Sequence, residues 1–219
     1  MSAAPAIAFF DMDYTLLDTS SGLLYVKYLR QNGRISRRWL LRVGWWSLLY
    51  KLSLIDMARV MPRMIVHARG DSAAATLAEA RAWFQARLAA HISPAAVDRI
   101  RAHQQAGQRV VLISASTQFA VQPVAEYLQL DFLCTRLEVV ADQITGRIVP
   151  PPCYAEGKVH WARAYAAEHG CDLRACFLYT DSLSDRPLLE AVGHPIAVNP
   201  DPRLKRLAGR RGWPIEKFY

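Results

Sequence analysis

Apolar residues fall along this chain in short blocks that run into polar ones. Ile7-Ala8-Phe9-Phe10 meets Asp11, the block from Arg109 closes on Ser114, and Ala175 to Thr180 meets Asp181. Pro195 to Val198 is a fourth block, and Asp131 to Cys134 a weaker fifth. Short unbroken apolar runs predict strands buried on both faces. Between the blocks, residues 94–106, 117–128, 157–169 and 184–191 carry apolar positions at helical spacing. Strands alternating with helices predict an α/β fold, a Rossmann-like parallel sheet with helices on both faces. Leu137 to Val149 alternates and turns, which predicts a β-hairpin.

The first two strands are separated by residues 11–108, far more than a crossover needs. From Ser20 to about His91 the pattern is helical almost throughout. The chain therefore predicts an α/β core from 1–17 and 92–219, with a helical cap over 18–91 inserted after the first strand. Open α/β sheets bind ligands beyond the carboxyl ends of their strands, so the cap covers that edge.

Charge sharpens this division. The 219-residue chain has a formal net charge of +8. Ten Lys and Arg lie between Thr19 and Gly70 against Asp56 alone, while the other 17 bases face 18 acids. The basicity belongs to the cap and suits an anionic partner. Within it, residues 39–52 read WLLRVGWWSLLYKL. On a helix this is apolar nearly all round, which admits three readings: cap core, lid of a hydrophobic pocket, or peripheral contact with an anionic membrane. Arg42 stands among Trp39, Trp45 and Trp46, able to form cation–π contacts or to face an anionic substrate. Arg42 and Lys51 interrupt the longest apolar run, so no transmembrane segment is predicted. MSAAPAIAFFDMD has no basic n-region, so no signal peptide is predicted. Cys134, Cys153, Cys171 and Cys176 form no C-x-x-C pair, and the histidines show no metal spacing. Reduced structural thiols in a cytoplasmic protein are expected. Arg203, Lys205, Arg206, Arg210 and Arg211 read as a solvated face, and no nucleic-acid-binding motif is present.

The clearest strands end in Asp11-Met12-Asp13, Ser114 and Asp181, which a parallel sheet gathers at one edge. Asp11 and Asp13 are two apart and, on an extended chain, point the same way. Close carboxylates call for a cation, and oxygen ligands suit Mg²⁺. Asp185 adds a further carboxylate, Lys158 a positive charge at a helix start, and Ser114 a hydroxyl before a helix whose amides can hold an anion. Together they describe a phosphate site in which an aspartate can itself attack phosphorus.

These residues carry a resemblance. Asp11-Met12-Asp13-Tyr14-Thr15 resembles the D-x-D-x-T signature of haloacid-dehalogenase-type phosphatases, and Ser114-Ala115-Ser116 their second motif. Lys158 in Glu156-Gly157-Lys158 resembles the third, and Asp181-Ser182-Leu183-Ser184-Asp185 matches the fourth, D-x-x-x-D. Order, hairpin and early cap resemble the phosphoserine-phosphatase-like branch, subfamily IB. The resemblance implies Asp11 as nucleophile and Asp13 as general acid and base. It implies phosphate binding by Thr15, Ser114, Ala115 and Lys158, with Thr15 also positioning Asp13. It implies Mg²⁺ held by Asp11, the Asp13 carbonyl and Asp181, with Asp185 in support. The substrate it implies is a small phosphomonoester of the phosphoserine or histidinol-phosphate kind.

The sequence departs from that branch in two places. Ser20 stands where phosphoserine phosphatases carry a glutamate for the substrate ammonium, which leaves Asp18, Ser20 and Arg42 as specificity candidates. Thr180 replaces the usual glycine before Asp181. Two further readings stay open: a lysophospholipid phosphate phosphatase at an anionic membrane surface, and a non-catalytic anion- or membrane-binding module that keeps the fold. Oligomeric state is not predicted.

Overall fold

The computed structural model describes residues 6–31, 33, 45, 65 and 68–219. Its strands are β1 (Ile7–Phe10), β2 (Arg109–Thr117), β3 (Asp131–Val140), β4 (Gln143–Val149), β5 (Phe177–Thr180), β6 (His194–Val198) and β7 (Ile215–Glu216). Its helices are α1 (Ser21–Gln31), α2 (Ala73–Trp83), α3 (Pro94–Gln105), α4 (Gln118–Leu128), α5 (Glu156–Glu168), α6 (Arg186–Ala191) and α7 (Pro202–Arg211). The strands form one sheet of order β4-β3-β2-β1-β5-β6-β7. Every neighbouring pair is parallel except β3–β4. The chain builds outward from β1 through β2 and β3, then returns to place β5 on the other side of β1. This makes the carboxyl end of β1 the switch point where such sheets open a crevice.

Both faces of the sheet are covered, as the unbroken apolar runs require. Ala8 and Phe10 of β1, with Val110 and Leu112 of β2, pack among Ala96 and Ile100 of α3 and Val121 and Val124 of α4. Ile7 and Phe9, with Val111 and Ile113, pack on the other face against α5, α6 and α7. Successive strand side chains alternate between faces, so each residue of β1 finds a partner layer. A fully buried Phe contributes about 1.5–3 kcal/mol of transfer free energy. Both β1 phenylalanines are fully buried, so the strand that leads to Asp11 is strongly held.

The structure differs from the sequence expectations at several element ends. β2 continues past Ser114 to Thr117, because its register with β3 shifts between those residues and absorbs the extra length. α4 consequently begins at Gln118, after Thr117. β5 begins at Phe177, since Leu173–Ala175 form a single tight turn capped by the Asp172 side chain. The weak strand at 131 and the hairpin are one element: β3 pairs parallel with β2, then antiparallel with β4. Ala141 and Asp142 turn the hairpin with φ of 47° and 64°, the left-handed pair a two-residue turn demands. α7 and β7 had no counterpart in the sequence reading. The arginines and lysine noted there lie on the exposed side of α7, with Leu204 and Ala208 buried beneath them.

α1 and α2 lie between β1 and β2. Trp83, Phe84 and Leu88, at and after the end of α2, join the buried cluster under α3 and α4. Arg81 bonds Glu126 of α4 through Nε at 2.8 Å and Nη2 at 2.6 Å. Asp142, at the hairpin tip, accepts from Ser72 Oγ at 2.6 Å and Ala74 N at 2.9 Å, which fastens the head of α2. Among the described residues no helix is long and apolar enough to cross a membrane. Arg42 and the stretch 39–52 lie outside the described residues, except Trp45, which is 59% exposed. The four cysteines are buried and form no disulfide.

Two local features hold the end of the sheet that carries the polar residues. Phe10 stacks on Tyr179 of β5 at 4.3 Å between ring centroids, and the Tyr179 hydroxyl bonds Nε2 of buried His103 at 2.9 Å. Burial lowers the His103 pKa from its ordinary value, with the Gln108 contact opposing. At the head of α5, the Pro152 carbonyl passes so close to Gly157 that a Cβ there would lie 1.8 Å from its oxygen.

Gly157→Ala is therefore expected to push the head of α5 off the sheet and destabilise the protein by roughly 2 kcal/mol, a drop of some 4–8 °C in melting temperature for a chain of this size. Unchanged melting would show that the contact relaxes freely. For His103 the folded pKa lies below the unfolded one, so the unfolded chain binds more protons. Its contribution is full above about pH 6.5 and is lost as pH falls through the folded value, with a slope of at most about 1.4 kcal/mol per pH unit. Chemical denaturation at pH 7.5 and 5.5 should show a smaller loss of stability in His103→Gln than in wild type.

Candidate active site

Register brings the polar residues to one edge. Phe10 lies level with Leu112 of β2 and with Tyr179 of β5. The next residues on each strand, Asp11, Ile113-Ser114 and Thr180-Asp181, therefore emerge together. Asp11 N donates to the Tyr179 carbonyl at 2.9 Å, extending the pairing by one residue. The chain then leaves the sheet in a tight turn, Met12–Leu16, closed by Leu17 N on the Met12 carbonyl at 2.9 Å. Inside it Asp13 stays extended and Tyr14 is left-handed, with φ 56° and ψ 6°. Asp13 Oδ1 accepts from Ser21 N, at the head of α1, at 2.9 Å.

Lys158 sits in the first turn of α5, only 2% exposed. Its Nζ donates to Asp11 Oδ1 at 2.6 Å and to Asp185 Oδ2 at 2.7 Å. Asp185 Oδ2 also accepts from Thr180 Oγ1 at 2.7 Å. Burial works against the Lys158 charge, but Asp11 and Asp185 outweigh it and raise its pKa, so the lysine stays protonated. Ser114 is buried, and its Oγ accepts from Ser116 N at 3.2 Å. Ala115 beside it is half-buried. The Thr15 hydroxyl is fully buried and has no partner among the described residues. Asp181 is half-buried; its carbonyl accepts from Asp201 N at 2.9 Å.

The carboxylates are short of positive charge. Burial raises the Asp11 pKa, Asp185 and Asp13 add to the rise, and Lys158 opposes it. Burial raises Asp13 as well, with Ser21 opposing. Burial, then Asp11 and Asp185, push Asp181 up to about 9. Asp11, Asp13, Asp181 and Asp185 thus interact around a single lysine, and oxygen donors in such excess fit a hard divalent cation. Among the described residues no three His, Cys, Asp or Glu side chains form a ready-made cage. A cation here would rest on the side chains of Asp11 and Asp181 and on main-chain oxygen.

Of the sequence candidates, Asp11, Lys158 and Asp185 are in direct contact, and Asp13, Ser114, Thr15 and Asp181 surround them. Asp18 and Ser20 are otherwise engaged. Asp18 Oδ1 lies 2.6 Å from His91 Nδ1, and the Ser20 hydroxyl hydrogen-bonds the Asp13 carboxylate and accepts weakly from Leu23 N at 3.4 Å in the first turn of α1. Sequence reasoning missed three contributors. Thr180, read only as a departure from a glycine, anchors Asp185. Gly157 leaves room for the Pro152 carbonyl directly before Lys158. Tyr219 reaches Tyr14, a contact across 205 positions that no local pattern encodes.

The chain is similar to known proteins. The family model of haloacid dehalogenase-like hydrolases matches residues 8–190. A probable phosphatase of Mycobacterium tuberculosis is 36% identical over 220 residues, spanning 98% of this chain and 76% of that protein. A histidinol-phosphatase of Neisseria meningitidis is 30% identical over 230 residues, spanning 97% and 98%. Among solved structures, a Bordetella pertussis protein of unknown function superposes with a TM-score of 0.90 at 29% identity, covering 99% of this chain and all of that one. A phosphoserine phosphatase carrying an analogue of its phospho-aspartyl intermediate superposes with a TM-score of 0.71 at 18% identity, covering 99% and 94%, a likeness of fold. With the family model spanning every strand from β1 to β5 and the residues at their ends, the chain belongs to the haloacid dehalogenase-like hydrolases.

Proposed function

We propose that the chain is a phosphatase that hydrolyses a phosphomonoester through a covalent phosphate on Asp11. The observation that carries this reading is Lys158, buried between Asp11 and Asp185 at the switch point of the sheet. A lysine so placed holds one Asp11 oxygen and offers fixed positive charge to an incoming phosphoryl group. Asp11 attacks phosphorus, the P–O bond to the alcohol breaks, and the alkoxide takes a proton from Asp13. Burial raises the Asp13 pKa, which suits it to carry that proton. Asp13 then removes a proton from water, which attacks phosphorus, releases inorganic phosphate and returns Asp11 as a carboxylate. Ser114, with the neighbouring main chain at Ala115, and the unpartnered Thr15 hydroxyl stand ready for phosphoryl oxygens and for the turn. Mg²⁺, held by Asp11, Asp181 and the Asp13 carbonyl, would neutralise charge on the phosphoryl oxygens.

The histidinol-phosphatase relative, together with the resemblance carried by the sequence motifs, supports a small organic phosphate, of the phosphoserine or histidinol-phosphate kind, as substrate. The division into a core of 1–17 and 92–219 and a cap of 18–91 is part of this proposal. It draws support from the crossing of the two connections: Asp18 N bonds the His91 carbonyl at 3.0 Å and Ser93 N the Leu16 carbonyl at 2.9 Å. A cap hinged there opens for substrate and closes against bulk water.

Inorganic phosphate release from phosphoserine, histidinol phosphate, sugar phosphates, nucleotides and lysophosphatidate tests the reading. Turnover of one of these is expected, lost in EDTA and restored by Mg²⁺. It should be absent in Asp11→Asn and reduced by about 10²–10⁴ in Asp13→Asn. Release that survives Asp13→Asn unchanged would overturn the mechanism.

A further inference from the structure

The turn that carries Asp13 contains a conformation it does not hold by itself. Tyr14 is a non-glycine residue at φ 56°, a region that costs an L-residue roughly 1 kcal/mol or more unless the surroundings impose it. Its side chain is 41% exposed, so packing of the ring does not fix the backbone. Its N–H reaches beyond the turn to the Thr19 carbonyl at a long 3.2 Å. Its carbonyl, placed between Asp13 and Thr15, is held from elsewhere: the Tyr219 hydroxyl donates to it at 2.7 Å, and Asn199 Nδ2 lies at 3.5 Å.

Tyr219 reaches that place along a continuous ladder. Ile215 and Glu216 of β7 pair with Ala197 and Val198 of β6, and Asn199 N bonds the Glu216 carbonyl at 3.0 Å. Asn199 Oδ1 accepts from Phe218 N at 3.0 Å. Phe218 is buried in the core cluster, and its carbonyl accepts from Ser93 Oγ at 2.7 Å. Ile215, Glu216 and Phe218 are thus anchored to the sheet or to the head of α3. The segment delivers one exposed ring to the mouth of the site, and that ring's hydroxyl ends on the Tyr14 carbonyl.

We propose that Tyr219 is a positioning residue for this site: its hydroxyl holds the Tyr14 carbonyl and so sets where Asp13 and Thr15 stand relative to Asp11. The proposal rests on the phosphatase reading for its catalytic consequence and on the hydrogen bond alone for its structural one. A catalytic group displaced by about 1 Å can cost up to 10²-fold in rate. Losing a single neutral hydrogen bond of about 1 kcal/mol corresponds to a factor of roughly five.

Tyr219→Phe keeps the ring and removes only the hydroxyl. Against the best substrate of the phosphate panel, kcat is expected to fall roughly five- to tenfold with KM within about twofold, because the turn is misplaced rather than the substrate released. Melting should stay within about 2 °C, since Phe218 and β7 keep their anchors. Hydrogen exchange of the amides between Met12 and Thr19 should quicken, while that of β7 should not. Wild-type kcat and wild-type exchange in Tyr219→Phe would overturn the proposal, as would a change in KM alone. If the wild-type protein shows no Asp11-dependent turnover, the phosphatase reading fails by itself. The exchange comparison then decides the tether: faster exchange in 12–19 supports it, and equal exchange removes it.

Discussion

A charge taken out of water must be met by another charge or by several hydrogen bonds, and Lys158 is met by two carboxylates. Its Nζ lies 2.6 Å from Asp11 and 2.7 Å from Asp185. The three residues come from the end of β1, the head of α5 and the turn after β5, so the ion triad ties together elements separated by more than a hundred positions. Removing one partner of such a group leaves an uncompensated buried charge, which costs about 3–5 kcal/mol. The surrounding details serve that constraint. Gly157 gives the Pro152 carbonyl room so that α5 can start where Lys158 must stand. Thr180 donates to Asp185 so that the second carboxylate does not depend on the lysine alone. Phe10 and Tyr179 stack one residue below the triad and hold β1 and β5 level.

The same triad sets the electrostatic problem that the rest of the site must solve. Lys158 is shared by two acids, and Asp13 and Asp181 stand near them, so the pocket repels a phosphate dianion in the absence of further positive charge. Burial raises the pKa values of Asp11, Asp13 and Asp181, and neighbouring carboxylates add to the rise at Asp11 and Asp181. A divalent cation would be the local remedy, because its charge would be fixed at the oxygens that need it. The ten bases between Thr19 and Gly70 are the remote one. Positive charge spread along a segment of sequence attracts anions over a distance, an effect that salt screens. The two remedies separate experimentally by their ionic-strength dependence, since only the remote one acts across a Debye length.

The sheet was legible in the sequence because it is buried on both faces. An apolar run of four such as Ile7–Phe10 has no other stable use than a central strand, and the polar residue after it marks the strand's exit. The carboxylates were legible for the same reason, since each stands at the end of such a run. The hairpin could be read from alternation, though not its fusion with the strand at Asp131, because register with a neighbour decides where one strand serves two partners. α7 was overlooked although its signals were present. Asp201 caps it, Pro202 opens it and Gly212 ends it in a left-handed conformation, but its low apolar content hid the buried pair Leu204 and Ala208. Partners distant in sequence were beyond reading: His91 for Asp18, Pro152 for Gly157, Tyr219 for Tyr14. Nothing in the residues near Asp18 indicates that its carboxylate meets a histidine where the two connections cross.

The two departures from the resembled pattern have different physical weight. Thr180 in place of glycine adds a donor to a buried carboxylate and leaves the backbone of β5 regular, so the departure strengthens the fourth motif. Ser20 in place of an acid is a loss of charge. Its hydroxyl is used on the Asp13 carboxylate and, weakly, on Leu23 N, and the nearby Asp18 carboxylate is spent on His91. An ammonium-bearing substrate would then have to take its counter-charge from Asp18, at the cost of the His91 contact, or from an acid elsewhere in the chain. Comparing phosphoserine with phosphates lacking the ammonium, in wild type and in Asp18→Asn, distinguishes these cases. A preference lost in Asp18→Asn assigns the counter-charge to Asp18. A preference retained excludes Asp18 as that counter-charge. No preference in either protein means that the substrate is recognised without an ammonium, as the excess of bases from Thr19 to Gly70 favours.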